Sequence, residues 1–173
     1  MIIKKTNPEQ YPMVRAFYHS LIDGIVDFPY NAGWKKDIYP SPDYLIKTIS
    51  NGELYIAIEN DEIIAAMILN HECNEGYNEF QWPTDAEESE ITVIHALGVH
   101  PSQMGKGYAK KMVKFAIETA KNNNQKVIRL DVLKGDVPAE KLYMGLGFEY
   151  LHTLSMFYED TGWTDYELYE YRL

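Results

Sequence analysis

Residues Gly98 to Lys111, GVHPSQMGKGYAKK, place Pro101, Gly105 and Gly107 between a strand-like apolar run and a run that mixes apolar residues with lysines. A turn opening a helix leaves backbone N–H groups unpaired beside the positive end of the helix dipole, which makes the joint an anion site. Glycines there let a phosphate approach the main chain closely, so a diphosphate is the natural guest. Two common phosphate loops do not fit. A P-loop would need Gly where His100 stands and Ser or Thr where Gly107 stands, and a dinucleotide fingerprint would need Gly or Ala in place of Lys110. Just upstream, His95 is the one side chain of ITVIHALGV that titrates near neutral pH. Strict alternation along that strand places His95 on one face with Leu97 and Val99.

Met104-Gly105-Lys106-Gly107-Tyr108-Ala109 resembles the pyrophosphate loop of the GNAT acetyltransferase superfamily, Gln/Arg-x-x-Gly-x-Gly/Ala, with Met104 in the Gln/Arg position. About thirty residues on, Asp136-Val-Pro-Ala-Glu-Lys-Leu-Tyr143-Met-Gly-Leu-Gly-Phe148 is similar to the superfamily's Asn-x-x-Ala-x-x-Leu-Tyr-x-x-x-Gly-Phe, with Asp136 replacing Asn. The resemblance implies an α/β (α+β) fold: a mixed central sheet of about seven strands, helices on both faces, splayed between strands 4 and 5 to admit acetyl-CoA. It implies that Leu97 and Val99 pair by backbone with the pantetheine arm, a form of β-augmentation. By the same resemblance, Gly105 to Ala109 cradle the diphosphate, Met104, Lys106 and Asp136 border the cofactor, and Tyr143 serves the CoA sulfur. HALGVH is similar to a stretch of the arylalkylamine N-acetyltransferases in which a histidine relays the amine proton. Those enzymes carry a second histidine where this chain has Val93. His95 is therefore the expected base, ionising near 6.5, with Glu79 and Glu90 as rivals acting through a water.

Acceptor residues are sought in the two long connections, which in the superfamily fold over the acceptor site. Tyr30, Trp34, Tyr39, Tyr77 and Trp82 lie there among acids such as Glu79, and aromatic walls with carboxylates suit a cationic amine. Trp34, Tyr77 and Glu79 are the expected substrate residues. A polyamine, an aralkylamine, an aminoglycoside-like molecule and a protein N-terminus remain open. A non-catalytic acyl-CoA-binding module with the same fold is the rival reading, resting on Met104 and Asp136.

The elements that must position these groups follow from periodicity. Short apolar runs at MIIKKT, ELYIAIE, EIIAAMILN, ESEITVIHALGV, VIRLDVL, FEYLHTLSMFYE and DYELYEYRL are expected strands, with Asn60-Asp61 as a hairpin turn. Helical spacing marks residues 8–25, 42–49, 105–122 and 138–144. One domain over 1–173 is expected from 173 residues that are 46% apolar. No basic-then-apolar leader opens the chain, and its longest apolar stretch, Ile63 to Leu69, falls far short of the roughly 20 residues that span a bilayer. A cytoplasmic protein without membrane partners is expected.

A lone cysteine, Cys73, excludes an internal disulfide and a multi-thiolate metal site, and no metal is expected. A net charge of −10 argues against nucleic acid as a partner. The charge is segregated, with eleven acids and no Lys or Arg between Lys47 and Lys106, then eight basic residues against two acids from Lys106 to Lys134. That division suits an anionic ligand near the basic segment and a cationic one near the acidic segment, if it is more than a solvated accident. The expected partners are acetyl-CoA and an amine acceptor, with a homodimer left open.

Overall fold

The computed structural model describes residues 1–173. Seven strands, β1 (Ile2–Lys5), β2 (Leu54–Glu59), β3 (Glu62–Asn70), β4 (Ile91–Val99), β5 (Val127–Leu133), β6 (Glu149–Tyr158) and β7 (Gly162–Arg172), form one sheet in the order β1-β2-β3-β4-β5-β7-β6. Asn60 and Asp61 take positive φ of 51° and 64°, which turns β2 tightly into β3. Every neighbouring pair is antiparallel except β4 and β5, which run parallel.

Four helices cover the two faces of this sheet. Helices α1 (Tyr11–Ile25) and α2 (Pro42–Ser50) bury Val14, Tyr18, Leu21, Leu45 and Ile49 against Ile56, Ala66 and Ile68. On the opposite face α3 (Tyr108–Asn122) and α4 (Val137–Met144) pack Met112, Ala116, Ala120 and Tyr143 against Met67, Ile94 and Leu130. Ser41 caps α2 by accepting the Tyr44 N–H at 3.2 Å, with Pro42 at the first helical position.

Parallel pairing of β4 with β5 lasts for three residue pairs, Ile91 with Val127, Thr92 with Ile128 and Val93 with Arg129, and then the strands part. Beyond that point Ala96 adopts a φ of 49°, and the register of β4 on β3 shifts between the Ile68–His95 and Ala66–Gly98 pairs. This is a β-bulge, and it changes which face each side chain meets. His95 turns its ring edge-on to Tyr44 of α2, with centroids 6.3 Å apart, while Leu97 and Val99 pack against the α3 core. The expected common face for His95, Leu97 and Val99 is therefore corrected: the extra residue breaks the two-residue period between them.

The long acidic connection before β4 is anchored by a buried cluster. Arg129 of β5 and Glu170 of β7 are 5% and 2% exposed, with Nε to Oε2 at 3.0 Å. The guanidinium donates to the Thr84 carbonyl at 2.7 Å and stacks on Trp82 at 4.3 Å, while the Thr84 hydroxyl donates to Glu170 at 2.6 Å. Removing one partner strands the other charge, so Arg129→Met is expected to cost about 3–5 kcal/mol. An Arg129→Met, Glu170→Leu double variant should recover much of that loss. Urea unfolding of both variants measures the difference, and equal losses would show that the pair is not coupled.

Candidate active site

Where β4 and β5 part, their divergence opens a cavity of about 110 Å³. Its walls come from six parts of the chain: His95 and Leu97 on β4, Asp131 on β5, Asp136 capping α4 with Tyr143 on it, Trp34 and Tyr39 before α2, Tyr158 at the end of β6 with Asp160 just beyond, and Tyr166 on β7. Gly98 lets Trp34 sit close, since a Cβ there would come within 2.4 Å of Leu21 and 3.3 Å of the Trp34 ring. Asp37 fixes the loop carrying Trp34 and Tyr39 to α1 by accepting from Arg15 at 2.6 and 2.8 Å and contacting His19 at 2.9 Å. The Arg15 pairing holds the Asp37 carboxyl down at about 2.

Each titratable group of the cavity has a distinct environment. Burial pushes the His95 imidazole down to about 4, against the opposing influence of Glu72, and its Nε2 is buried without a hydrogen-bond partner. The expected ionisation near 6.5 is thus corrected, because an imidazole sunk against Tyr44 pays a desolvation cost on charging. Tyr143 moves the other way, raised well above the ordinary phenol range by burial and then by the nearby Asp136 and Asp131 charges. Asp136 caps α4, accepting the Ala139 N–H at 3.3 Å, and burial raises its carboxyl. An Asn would cap the same way, which accounts for the interchange at this position. Asp131 receives the Tyr77 and Tyr158 hydroxyls, both at 2.8 Å, and burial raises it despite them.

Outside the cavity, the glycine loop presents a second feature. Gly105 and Gly107 have φ of 77° and 79°, and a Cβ added at either would meet nothing within 4 Å. No side chain caps α3, and the first bonded N–H of its opening turn is that of Lys111, which donates to the Gly107 carbonyl at 3.2 Å. The N–H groups from Gly105 through Lys110 therefore have no partner in the chain. Met104 is exposed, and Lys106 reaches back to Gln103 at 2.8 Å. Tyr108 contributes only its main chain here, since its ring is buried and its hydroxyl donates to Glu59. Between the two features runs the free edge of β4. The His100 N–H donates to Ile64 of β3 at 2.9 Å, so alternation directs the Val99 and Leu97 N–H groups to the other edge, where β5 has diverged.

Of the residues expected from sequence, His95, Leu97, Asp136, Tyr143 and Trp34 meet around one cavity. Tyr77 lies one shell behind, buried and bonded to Asp131. Glu79 is exposed on a short helical turn outside the cavity, and Glu90 pairs with Lys126 at 2.8 Å, also away from it. Asp131, Tyr158 and Asp160 escaped sequence reasoning. One signal was present for Asp131: an acid two residues after Arg129 inside the otherwise apolar VIRLDVL.

Residues 19–148 match the Acetyltransferase (GNAT) family, three quarters of the chain. The chain belongs to that family. No curated protein matches it. Among solved structures, a GNAT-family acetyltransferase from Streptococcus agalactiae superposes with a TM-score of 0.82 at 18% identity, covering 99% of this chain and 95% of that one. The yncA protein of Salmonella typhimurium, solved with its cofactor acetyl-CoA, gives 0.72 at 14% identity, covering 100% and 94%. A polyamine N-acetyltransferase of Drosophila melanogaster gives 0.70 at 13% identity, covering 99% of both chains. At such identities these likenesses establish the fold, and the family match establishes an N-acetyltransferase that uses acetyl-CoA. Unpartnered N–H groups at the start of α3 and a parted strand pair are both present here.

The depressed His95 titration has a checkable consequence. Its folded value of about 4 lies below the ordinary 6.5 or so, so the unfolded chain takes up the proton first. Stability should hold above roughly pH 6.5 and fall by up to about 3 kcal/mol as pH drops toward 4. His95→Gln should remove that part of the fall, as measured by urea unfolding at pH 7 and pH 4.5. A ring NMR titration of His95 with a midpoint near 6.5 would contradict the buried placement.

Proposed function

We propose that the protein transfers the acetyl group of acetyl-CoA to a primary amine of a small molecule or peptide, by direct attack in a ternary complex. The observation that carries this reading is the set of free N–H groups from Gly105 to Lys110, on the loop and helix start that follow β4, the strand that carries His95 into a cavity shared with Tyr143. The residues present fit the co-substrate. Gly105, Lys106, Gly107, Tyr108 and Ala109 would hold its diphosphate by main-chain N–H groups, with Met104 at the rim. Leu97 and Val99 would offer the unpaired β4 edge to the amides of its pantetheine arm.

When bound, acetyl-CoA supplies an activated acyl carbon: the amine nitrogen bonds to it, the carbon–sulfur bond breaks, the amine gives up a proton and the departing sulfur gains one. Tyr143, whose raised pKa keeps it protonated at neutral pH, donates to the sulfur. His95, neutral at the same pH, accepts from the nitrogen directly or through a water. Asp136 fixes the start of the helix that carries Tyr143. Trp34 walls the acceptor side, Tyr77 holds Asp131 from behind, and Glu79 lies outside on the connection that covers this end.

Incubating the protein with acetyl-CoA and a panel of primary amines should release free thiol with at least one of them. Tyr143→Phe keeps the ring and loses the proton, so turnover should fall roughly 100-fold or more while acetyl-CoA affinity persists. Full turnover in that variant would make Tyr143 a packing residue. Gly107→Val puts a branched side chain at a φ of 79° and into the open cradle. By calorimetry its acetyl-CoA affinity should drop at least about tenfold, since main-chain approach is blocked. Unchanged affinity would place the diphosphate elsewhere.

A further inference from the structure

Three carboxylates border the cavity: Asp136 is occupied in capping α4, while Asp131 and Asp160 have no salt-bridge partner. Asp131 is half-buried on β5, and both hydroxyls that reach it, from Tyr77 and Tyr158, donate to the same oxygen, Oδ2. Its Oδ1 accepts no hydrogen bond from the chain, and the residue lines the cavity. Asp160 is 5% exposed, and no side chain donates to it: its hydrogen bonds come from the backbone N–H groups of its own residue and Thr161, and the Lys35 ammonium acts on it through space without contact. The cations on neighbouring positions are committed elsewhere, Arg129 to Glu170 and Lys134 to Asp165. Trp34, Tyr39 and Tyr158 wall the same space, with Trp34 and Tyr39 centroids 5.9 Å apart and Tyr39 and Tyr158 6.3 Å apart. Aromatic faces beside unpaired carboxylates attract a cation, and buried carboxylates lacking one are costly to keep.

The nitrogen that attacks an acyl carbon must be uncharged, so these carboxylates have no use for it as an ammonium. They suit a different nitrogen of the same molecule. We propose that Asp131, with Asp160 beside it, holds a second, non-reacting ammonium of the acceptor, so that the preferred acceptors are alkyl diamines rather than monoamines. Asp131 is then a specificity-determining residue: its Oδ1 accepts from the distal ammonium while the tyrosine hydroxyls on Oδ2 keep the carboxylate in place. The inference rests on the acetyltransferase reading above and deepens it.

The test compares α,ω-diamines with n-alkylamines of equal chain length, by thiol release and, separately, by calorimetric binding to the protein with CoA present. Diamines should show the higher kcat/KM, and Asp131→Asn should cut the diamine-to-monoamine ratio about tenfold or more by removing a charge-assisted contact. Asn keeps an oxygen for the two tyrosine hydroxyls, so the fold should persist, as a thermal melt would show. Asp160→Asn, which disturbs no side-chain bond, should lower the same ratio and carries the test if Asp131→Asn does not fold. A ratio unchanged in these variants, or monoamines used as well as diamines, overturns the assignment while leaving acetyl transfer intact. If no amine releases thiol, the acetyl-transfer reading fails, and diamine binding that survives Asp131→Asn undiminished then overturns this proposal too.

Discussion

The Tyr18 hydroxyl donates to the Ala96 carbonyl at 2.8 Å across 78 positions of sequence, and it meets β4 at the bulge just beyond the point where the two central strands part. A non-glycine residue at a φ of 49° is strained, and a bulge leaves main-chain groups outside the ladder. A buried hydroxyl that accounts for one of those groups offsets part of the cost. Tyr18 is itself 1% exposed and packed edge-on to Phe17 and Trp34, so it has no easy alternative position. The result is a β4 whose first half belongs to the sheet and whose second half keeps one edge free. A closed sheet would satisfy more hydrogen bonds and bind nothing there.

Once the strands part, the closed half must not unzip further. Arg129 stands at the last β4–β5 pair and is tied to Glu170, Thr84 and Trp82, so the branch point is braced from β7 and from the acidic connection together. Two residues further along β5, Asp131 receives Tyr77 from that connection and Tyr158 from β6. The same strand thus carries a bracing cation and a cavity-lining anion on one face, two residues apart. Charge segregation along the chain is partly undone by folding: Glu72 meets Lys47 and Glu90 meets Lys126. The cavity acids Asp131 and Asp160, which form no salt bridge, lie outside the acidic segment that the sequence makes conspicuous.

Local signals in the sequence identify what is local in the structure. Periodicity marks all seven strands and the four main helices, and the glycine loop and α4 signature mark the cradle and Tyr143, because each lies within one short stretch. The face of His95 is not legible, since it depends on Ala96, whose positive φ its own residue type does not announce and whose carbonyl is held by Tyr18 from α1. His95 titration was misjudged for a related reason: burial against Tyr44 comes from α2, far away in sequence. Tyr158 and Asp160 could not be assigned to the site either, because a strand hairpin at the far end of the chain folds back on β5 to deliver them.

The opposite displacements of His95 and Tyr143 have one cause, since burial disfavours whichever form is charged. It removes the proton from a base and keeps it on an acid. At neutral pH the cavity therefore holds an unprotonated imidazole and a protonated phenol before any substrate arrives, which is the division of labour that the proposed transfer needs. An imidazole titrating near 4 cannot take a proton from a free alkylammonium, so on this reading the amine must be neutral when it reacts. Its proton becomes acidic only as the nitrogen bonds to the acyl carbon and loses its lone pair to the new bond. A weak base suffices at that moment, and a stronger one would stand protonated and idle over much of the physiological range.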